Sequence, residues 1–234
     1  MKKEFLEIIK GVVSDVENVD SLIDSYFDPI KDFTDTAKDI FTPIKIVHSL
    51  YTLNKKRKFK SFLKSYAKGI SDGNIVNPQL VEDLKAYIEN QKNFNFINDL
   101  IESAINSRSI YGAMLLGYFA GEILKERKDI TFKELIIMEG IRELNDFEFS
   151  YFAKIYSIAN LAKEVNIKEY EGLGSLFLYE VTIKKLIQLR IVDEPLNTHD
   201  PNRKGRFISN DIAEDIYMMI QSIGIKDDLL TYSY

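Results

Sequence analysis

Hydrophobic residues recur every three or four positions along most of this chain, which is the spacing of one face of an α-helix. One of the clearest stripes opposes a row of polar residues and comprises Ile97, Leu100, Ile101, Ala104 and Ile105. Comparable stripes predict helices near residues 1–17, 43–68, 78–88, 97–105, 109–125, 131–144 and 146–163.

Capping signals support several of these boundaries. Asn77-Pro78 suits a helix start, because asparagine caps the free amides and proline fits the first turn. Thr131 and Glu134 have the spacing of a capping box, in which a hydroxyl and a carboxylate each bind a free backbone amide. Pro29 and Pro43 each disfavour helical geometry in the preceding residue and predict breaks.

The run Ile110–Gly121 is nearly all apolar and predicts a buried central helix. It is far shorter than the roughly 20 residues that span a bilayer. Gly117 and Gly121 are one helical turn apart, so we expect another helix to cross this one at close range in a water-soluble core.

The pattern changes after Asn166. Residues 172–195 predict a short helix, a longer helix and a strand; residues 206–209 alternate like a second strand, and a helix follows from Asp211. This order is that of a winged helix. We therefore expect a mainly α protein, with a helical bundle over residues 1–165 and a winged-helix-like unit with a two-stranded β-ribbon over residues 166–234.

Charge is segregated near the amino terminus. Residues 12–42 form an acidic segment in which Asp20, Asp24, Asp28 and Asp32 recur every four positions, and residues 43–68 contain eight bases and no acid. Interleaved aromatic residues make the basic segment amphipathic, which suits anionic lipid or phosphate binding. The favoured interpretation is a solvated face whose aromatic side chains enter the core. The candidate anion- or membrane-binding residues are Lys55, Lys56, Arg57, Lys58, Lys60 and Lys64.

The winged-helix order also raises the possibility of DNA binding. The longer helix and the predicted wing offer a modest polar and basic set, namely Lys184, Lys185, Gln188, Arg203, Lys204 and Arg206. From Tyr170 onward, however, ten acids oppose seven bases, whereas dedicated DNA-binding domains are usually basic. The balance favours a wing that contacts protein, with DNA as the alternative.

Composition narrows the function mainly by exclusion. The 234 residues carry a net charge of −5 and contain no cysteine, which excludes disulfides, thiolate metal sites and thiol nucleophiles and favours a cytoplasmic location. His48 and His199 have no partners at metal-ligand spacing, and no nucleotide-binding or nucleophile motif is present. We expect no metal or cofactor, and we lean against an enzyme, although a hidden acid–base pair stays open.

Two stretches carry a resemblance to a known family. DPIKDFTDTAKDIFTPIKIVHSLYTLNKKRKFKSFL, and TIKKLIQLRIVDEP followed by GRFISNDIAEDI, resemble bacterial abortive-infection alpha-type proteins and related prophage proteins. Family members often have glycine before the strand, where this chain has Arg190. The resemblance implies a helical body with a winged-helix-like tail and a cytoplasmic role in phage defence, and it offers no catalytic residues.

These observations favour a non-enzymatic protein that acts by binding a protein partner or by self-association. A DNA-binding regulator that uses the winged-helix-like tail is the first alternative. A peripheral membrane protein that uses residues 43–68 is the second.

Overall fold

The computed structural model describes residues 53–71, 86–87, 89–159, 164–167, 176–195 and 206–232. Several predictions lie outside these ranges: the helices before residue 53, the acidic segment 12–42, the helix start at Asn77-Pro78, and the wing residues Arg203 and Lys204.

The described residues are mainly helical, as predicted, with one small two-stranded antiparallel sheet. In chain order the elements are α1 Leu53–Ser71, α2 Gln91–Asn106, α3 Ile110–Glu126, α4 Phe132–Glu143, α5 Asp146–Ala159, β1 Glu164–Asn166, α6 Leu176–Gln188, β2 Arg206–Ile208, α7 Asp211–Ile223 and α8 Lys226–Thr231.

Contacts between residues divide the chain into two compact units, residues 1–130 and 131–234. In the first unit, α1, α2 and α3 pack against one another. The core between them is built from the apolar stripes of the sequence, and Leu100, Ala104, Leu115 and Leu116 are completely buried.

Helices α1 and α3 cross in direct backbone contact, as the glycine spacing predicts. A methyl group added at Gly117 would lie 2.1 Å from the Phe62 carbonyl oxygen, and one at Gly121 would lie 2.6 Å from that of Tyr66. Gly69 on α1 faces α3 in the same way, because its Cβ would lie 2.5 Å from the Tyr118 carbonyl oxygen. Only glycine permits such an approach at these positions.

The aromatic residues of the basic segment enter this core. Phe59, Phe62, Leu63 and Tyr66 are buried, and the rings of Phe62 and Tyr66 stack with centroids 6.1 Å apart. The described part of the segment therefore packs its apolar face inside the protein, as the favoured interpretation expects.

In the second unit, α5 packs against α8, α6 and α7, and α4 packs against α7. Helices α4 and α5 thus pack with the carboxyl-terminal elements, whereas the hydrophobic pattern suggested a boundary near residue 165. The core of the unit contains a cluster of aromatic rings. Tyr156 lies beside Phe152, Phe207 and Tyr217, with ring centroids 4.6, 6.2 and 5.4 Å away.

The sheet uses a strand that the sequence pattern does not reveal. β1 pairs with β2 in antiparallel register, with Val165 opposite Phe207. The strand expected near residue 191 contributes one bridge, in which the backbones of Asp193 and Ile208 exchange two hydrogen bonds of 2.9 Å. The described part of helix α5 runs to Ala159, and its predicted last turn, residues 160–163, lies outside the described residues. A strand as short as β1 is defined by its pairing with a distant partner, which periodicity cannot detect.

Side-chain caps begin several of the described helices. The capping box at Thr131 and Glu134 is present, and Ser109 and Asn210 cap α3 and α7. In the described ranges, no helix is both long enough and apolar enough to cross a membrane.

Candidate protein-interaction surface

Helix α6 presents two different faces. Tyr179, Thr182, Ile183 and Leu186 point into the second unit and are buried. The opposite face is exposed and comprises Phe177, Leu178, Val181, Lys184 and Gln188.

The first two turns of this exposed face are apolar. Phe177, Leu178 and Val181 are 70%, 43% and 50% exposed, which is unusual for large apolar side chains grouped on one helix. Polar character begins only at Lys184 and Gln188, so the surface changes from apolar to polar along the helix. We refer to Phe177, Leu178 and Val181 as the α6 apolar patch.

The predicted DNA-contacting residues do not form one surface. Lys184 and Gln188 are exposed on α6, but Lys185 turns inward: its ammonium group lies 2.6 Å from a Glu148 carboxylate oxygen and donates to the Glu143 carbonyl at 2.7 Å. Both side chains of the Lys185–Glu148 pair are mostly buried. Lys185 therefore joins α6 to α5 and to the end of α4.

The predicted wing is only partly described. Arg206 is half-buried in β2, where its backbone pairs with Asn166, while Arg203 and Lys204 lie outside the described residues. Two acids are exposed close to this strand, because Asp193 bridges to β2 and Glu194 follows it. Negative charge at this point opposes the approach of a phosphate backbone.

A groove opens beside the carboxyl-terminal end of α6. Its volume is about 410 Å³, and its lining residues are Phe132, Leu135, Ile136, Met138, Glu139, Gln188, Leu189 and Arg190. Phe132 and Leu135 on α4 are 64% and 41% exposed. Gly140 allows α4 to approach the chain after α6, since a Cβ at Gly140 would lie 2.9 Å from Cδ1 of Ile191.

The basic residues of α1 have varied surroundings. Arg57 and Lys64 are exposed, Lys55, Lys58 and Lys60 are half-buried, and the side chain of Lys56 lies outside the described set. The ammonium group of Lys58 donates to the Ser107 carbonyl at the end of α2. At least this lysine has a structural role that the charge pattern alone does not indicate.

The perturbed titratable groups have structural explanations. Burial raises the pKa of Glu134, but hydrogen bonds from the hydroxyl and amide of Thr131 outweigh it and hold that pKa below its ordinary value. Burial raises the pKa of Tyr156 to about 12, although a 2.9 Å hydrogen bond with Ser209 lowers it. Burial likewise raises the pKa of Tyr179 to about 12.

Among the described residues, no three histidine or carboxylate side chains are arranged to hold a metal ion. In the described part of the chain, the α6 apolar patch and the neighbouring groove are the candidate binding features. Comparison of the chain with protein-family models, curated proteins and solved structures finds no match.

The sequence contained a signal for the α6 apolar patch. Residues 176–188, LFLYEVTIKKLIQ, have more apolar positions than one buried stripe requires. The surplus falls at Phe177, Leu178 and Val181. The groove carried no such signal, because its lining residues come from α4 and from the end of α6, more than 40 residues apart.

Proposed function

We propose that this protein is a non-enzymatic interaction protein that binds a protein partner, or a second copy of itself, through the α6 apolar patch. The observation that supports this most directly is the exposure of Phe177, Leu178 and Val181 on consecutive turns of one helix. Large apolar side chains grouped at a surface are typical of protein contacts, because their burial is the main favourable contribution to association.

The winged-helix-like interpretation of residues 166–234 is supported only by the order α6, β2, α7 within that range. In that interpretation α6 is the helix that would enter the major groove, where its amino-terminal residues would contact base edges. Here those positions are Phe177, Leu178 and Val181, which offer no hydrogen bonds to bases. The arrangement therefore favours protein over DNA as the ligand of this helix.

DNA binding is the second candidate function, and Lys184 and Gln188 support it. These exposed side chains lie on the face that would follow the groove, and Arg203, Lys204 and Arg206 belong to the predicted wing. Because Lys185 is held by Glu148, the basic set available to phosphates is smaller than the sequence suggests.

A peripheral membrane role has weaker support. The apolar side chains of α1 that would insert into lipid, including Phe59, Phe62 and Tyr66, are buried in the first unit. Binding would then rest on charge alone, at about 1 kcal/mol for each base near an anionic surface.

The wider biological role rests on the resemblance to abortive-infection alpha-type proteins. We propose that the protein acts in the bacterial cytoplasm, in phage defence or its regulation, and that partner binding is how it acts. The absence of a recognisable catalytic motif in the sequence agrees with a role of this kind.

The test is partner capture from host cells by the full chain, compared with a Phe177→Ala/Val181→Ala variant. Met218→Ala is the matched control, because Met218 is also a large apolar side chain, 52% exposed, but belongs to α7. We expect specific partners to be lost from the double variant and kept by the control, or a self-associated form to dissociate in the same way.

Fluorescence anisotropy with a labelled DNA duplex at physiological salt tests the alternative. We expect no binding under these conditions. DNA binding would be assigned to α6 if three results were found together. The wild type would bind at physiological salt, Lys184→Glu would not bind, and the Phe177→Ala/Val181→Ala variant would still bind.

A further inference from the structure

The groove between α4 and the end of α6 is separate from the α6 apolar patch, and one of its residues has an unfavourable backbone conformation. Arg190 has φ of 60°, in the left-handed region that side chains other than glycine rarely adopt. Arg190 lies two residues beyond the end of α6, at the position that terminates the helix.

Hydrogen bonds explain the conformation. The Arg190 amide donates to the Ile187 carbonyl at 3.0 Å and the Ile191 amide to the Leu186 carbonyl at 2.9 Å, which together form a Schellman motif. Glycine is the favoured residue at its left-handed position. Gly224 occupies the equivalent position after α7, with φ of 80°.

Arg190 and Phe132 both line the groove and contact each other. The Arg190 guanidinium lies 5.8 Å from the centre of the Phe132 ring, a cation–π geometry that orients the positive charge. Among the described residues, Arg190 forms no ion pair with a carboxylate. Glu139, which also lines the groove, is already paired with Arg142.

The groove therefore combines apolar lining residues with an oriented positive charge. Phe132, Leu135 and Met138 can cover an apolar side chain, and the amide of exposed Gln188 can donate beside Arg190. A ligand that fits must present an apolar side chain next to a carboxylate. Peptides that do so are common, and arginine binds carboxylates with favourable two-point geometry.

We propose that this groove binds a short segment of a partner protein. In that segment, one or two large apolar residues adjoin an aspartate, a glutamate or the carboxyl terminus of the partner. This inference rests on the proposed protein-binding function and names the chemistry of the partner. Arg190 is the specificity-determining residue, and the apolar residues of α4 supply the contact area.

The test is selection of random twelve-residue peptides displayed on phage, with the full-length protein as target, followed by affinity measurement on the synthetic peptides. We expect the selected peptides to share large apolar residues beside an acid. Replacement of that acid by its amide should weaken binding about five-fold, the upper end of the range for an exposed ion pair.

Arg190→Gly is a sharp variant, because glycine suits the left-handed position and the fold should be retained or stabilised. Arg190→Gly should weaken the affinity for the acidic peptides about as much as the amide replacement does. It should leave the affinity for the amide peptides unchanged. Arg127→Gly is the matched control. Arg127 ends α3 in the first unit with the same left-handed geometry, φ of 52°, so its replacement should have no effect on peptide binding.

Failure to select any peptide, selection of peptides without acids, or equal affinity for wild type and Arg190→Gly would each overturn the proposal. The Phe177→Ala/Val181→Ala variant separates this result from the proposed function. If that variant loses the cellular partner while Arg190→Gly and Phe132→Ala keep it, protein binding stands and the groove assignment fails. If none of the three variants affects capture and the wild type captures nothing specific, the protein-binding function itself fails.

Discussion

Replacement of Gly117 by alanine should destabilise the first unit, because no space exists for a methyl group where α1 and α3 cross. The added Cβ would lie 2.1 Å from the oxygen, 2.8 Å from the carbon and 2.9 Å from the Cα of Phe62. All three atoms belong to the backbone of α1, so no side-chain rotation can relieve the contact.

The magnitude follows from this distance. Ordinary contact for a Cβ begins near 3.4 Å, so the helices must separate locally by about 1.3 Å. A gap of 0.5–1 Å already removes roughly a quarter to a half of the dispersion energy of each contact. Overpacked cores lose about 1–3 kcal/mol and occasionally more, and a rigid obstacle belongs at the upper end. Alanine regains up to about 1 kcal/mol of helix propensity, so we expect a net loss of about 2–3 kcal/mol.

Gly140→Ala is the matched control. Its Cβ would meet only Cδ1 and Cγ1 of Ile191, at 2.9 and 3.0 Å, and the end of a side chain can move. The gain in helix propensity is the same as at Gly117. We expect Gly140→Ala to change the free energy of unfolding by less than about 1 kcal/mol.

Hydrogen exchange followed by mass spectrometry suits the measurement, because it reports on the two units separately and the chain has no tryptophan for fluorescence. Amides in α1 and α3 should lose protection equivalent to about 2–3 kcal/mol in Gly117→Ala, while those in residues 131–234 should change little. Unchanged protection of α1 and α3 would refute the close crossing. If Gly140→Ala caused a loss of protection of the same size, the close backbone contact at Gly117 would not explain the loss in Gly117→Ala.

Three further results should follow from the second unit. Thr131→Ala should lower the free energy of unfolding by about 1 kcal/mol at neutral pH. Because the pKa of Glu134 is lowered in the folded protein, the difference in stability from wild type should shrink as pH falls below 4.5. A difference that stayed constant in urea titrations across pH would contradict this. Lys185→Met should cost about 1–3 kcal/mol by leaving Glu148 unpaired, and stability equal to wild type in thermal unfolding would argue against that ion pair. The pKa of Tyr156 is raised from 10.0 to about 12 in the folded protein, so the stability contributed by its neutral hydroxyl is complete below pH 10 and is lost as pH rises toward 12. Relative to Tyr156→Phe, the wild type should lose roughly 2–3 kcal/mol of unfolding free energy over that range, measured by chemical unfolding. Equal pH dependence of the two proteins would contradict the expectation.

Local signals in the sequence were sufficient for most of the helices in the described ranges. The box at Thr131 and Glu134 forms because both partners lie within one helical turn, and the cap at Ser109 is equally local. The close crossing at Gly117 and Gly121 was also predictable, since two glycines one turn apart on an apolar helix leave a flat strip for a neighbour. Such features depend on residues a few positions apart, so a single sequence records them.

The candidate surface was only partly predictable. The surplus apolar residues of α6 were visible in the sequence, but which of them are exposed depends on how α6 packs against α5. Lys184 and Lys185 are neighbours of the same residue type, so the sequence does not distinguish them. The structure exposes the first and directs the second to Glu148, 37 residues away in the chain.

Tertiary structure alone decided the remaining features. Strand β1 exists because Val165 pairs with Phe207, and three residues carry no periodicity that could predict it. Arg190 adopts a left-handed conformation because the end of α6 must turn there, although glycine would do so at lower cost. Hydrophobic spacing and capping thus specified the helices from within the chain, whereas partners distant in sequence, brought together by packing, determined the strand, the ion pair and the groove.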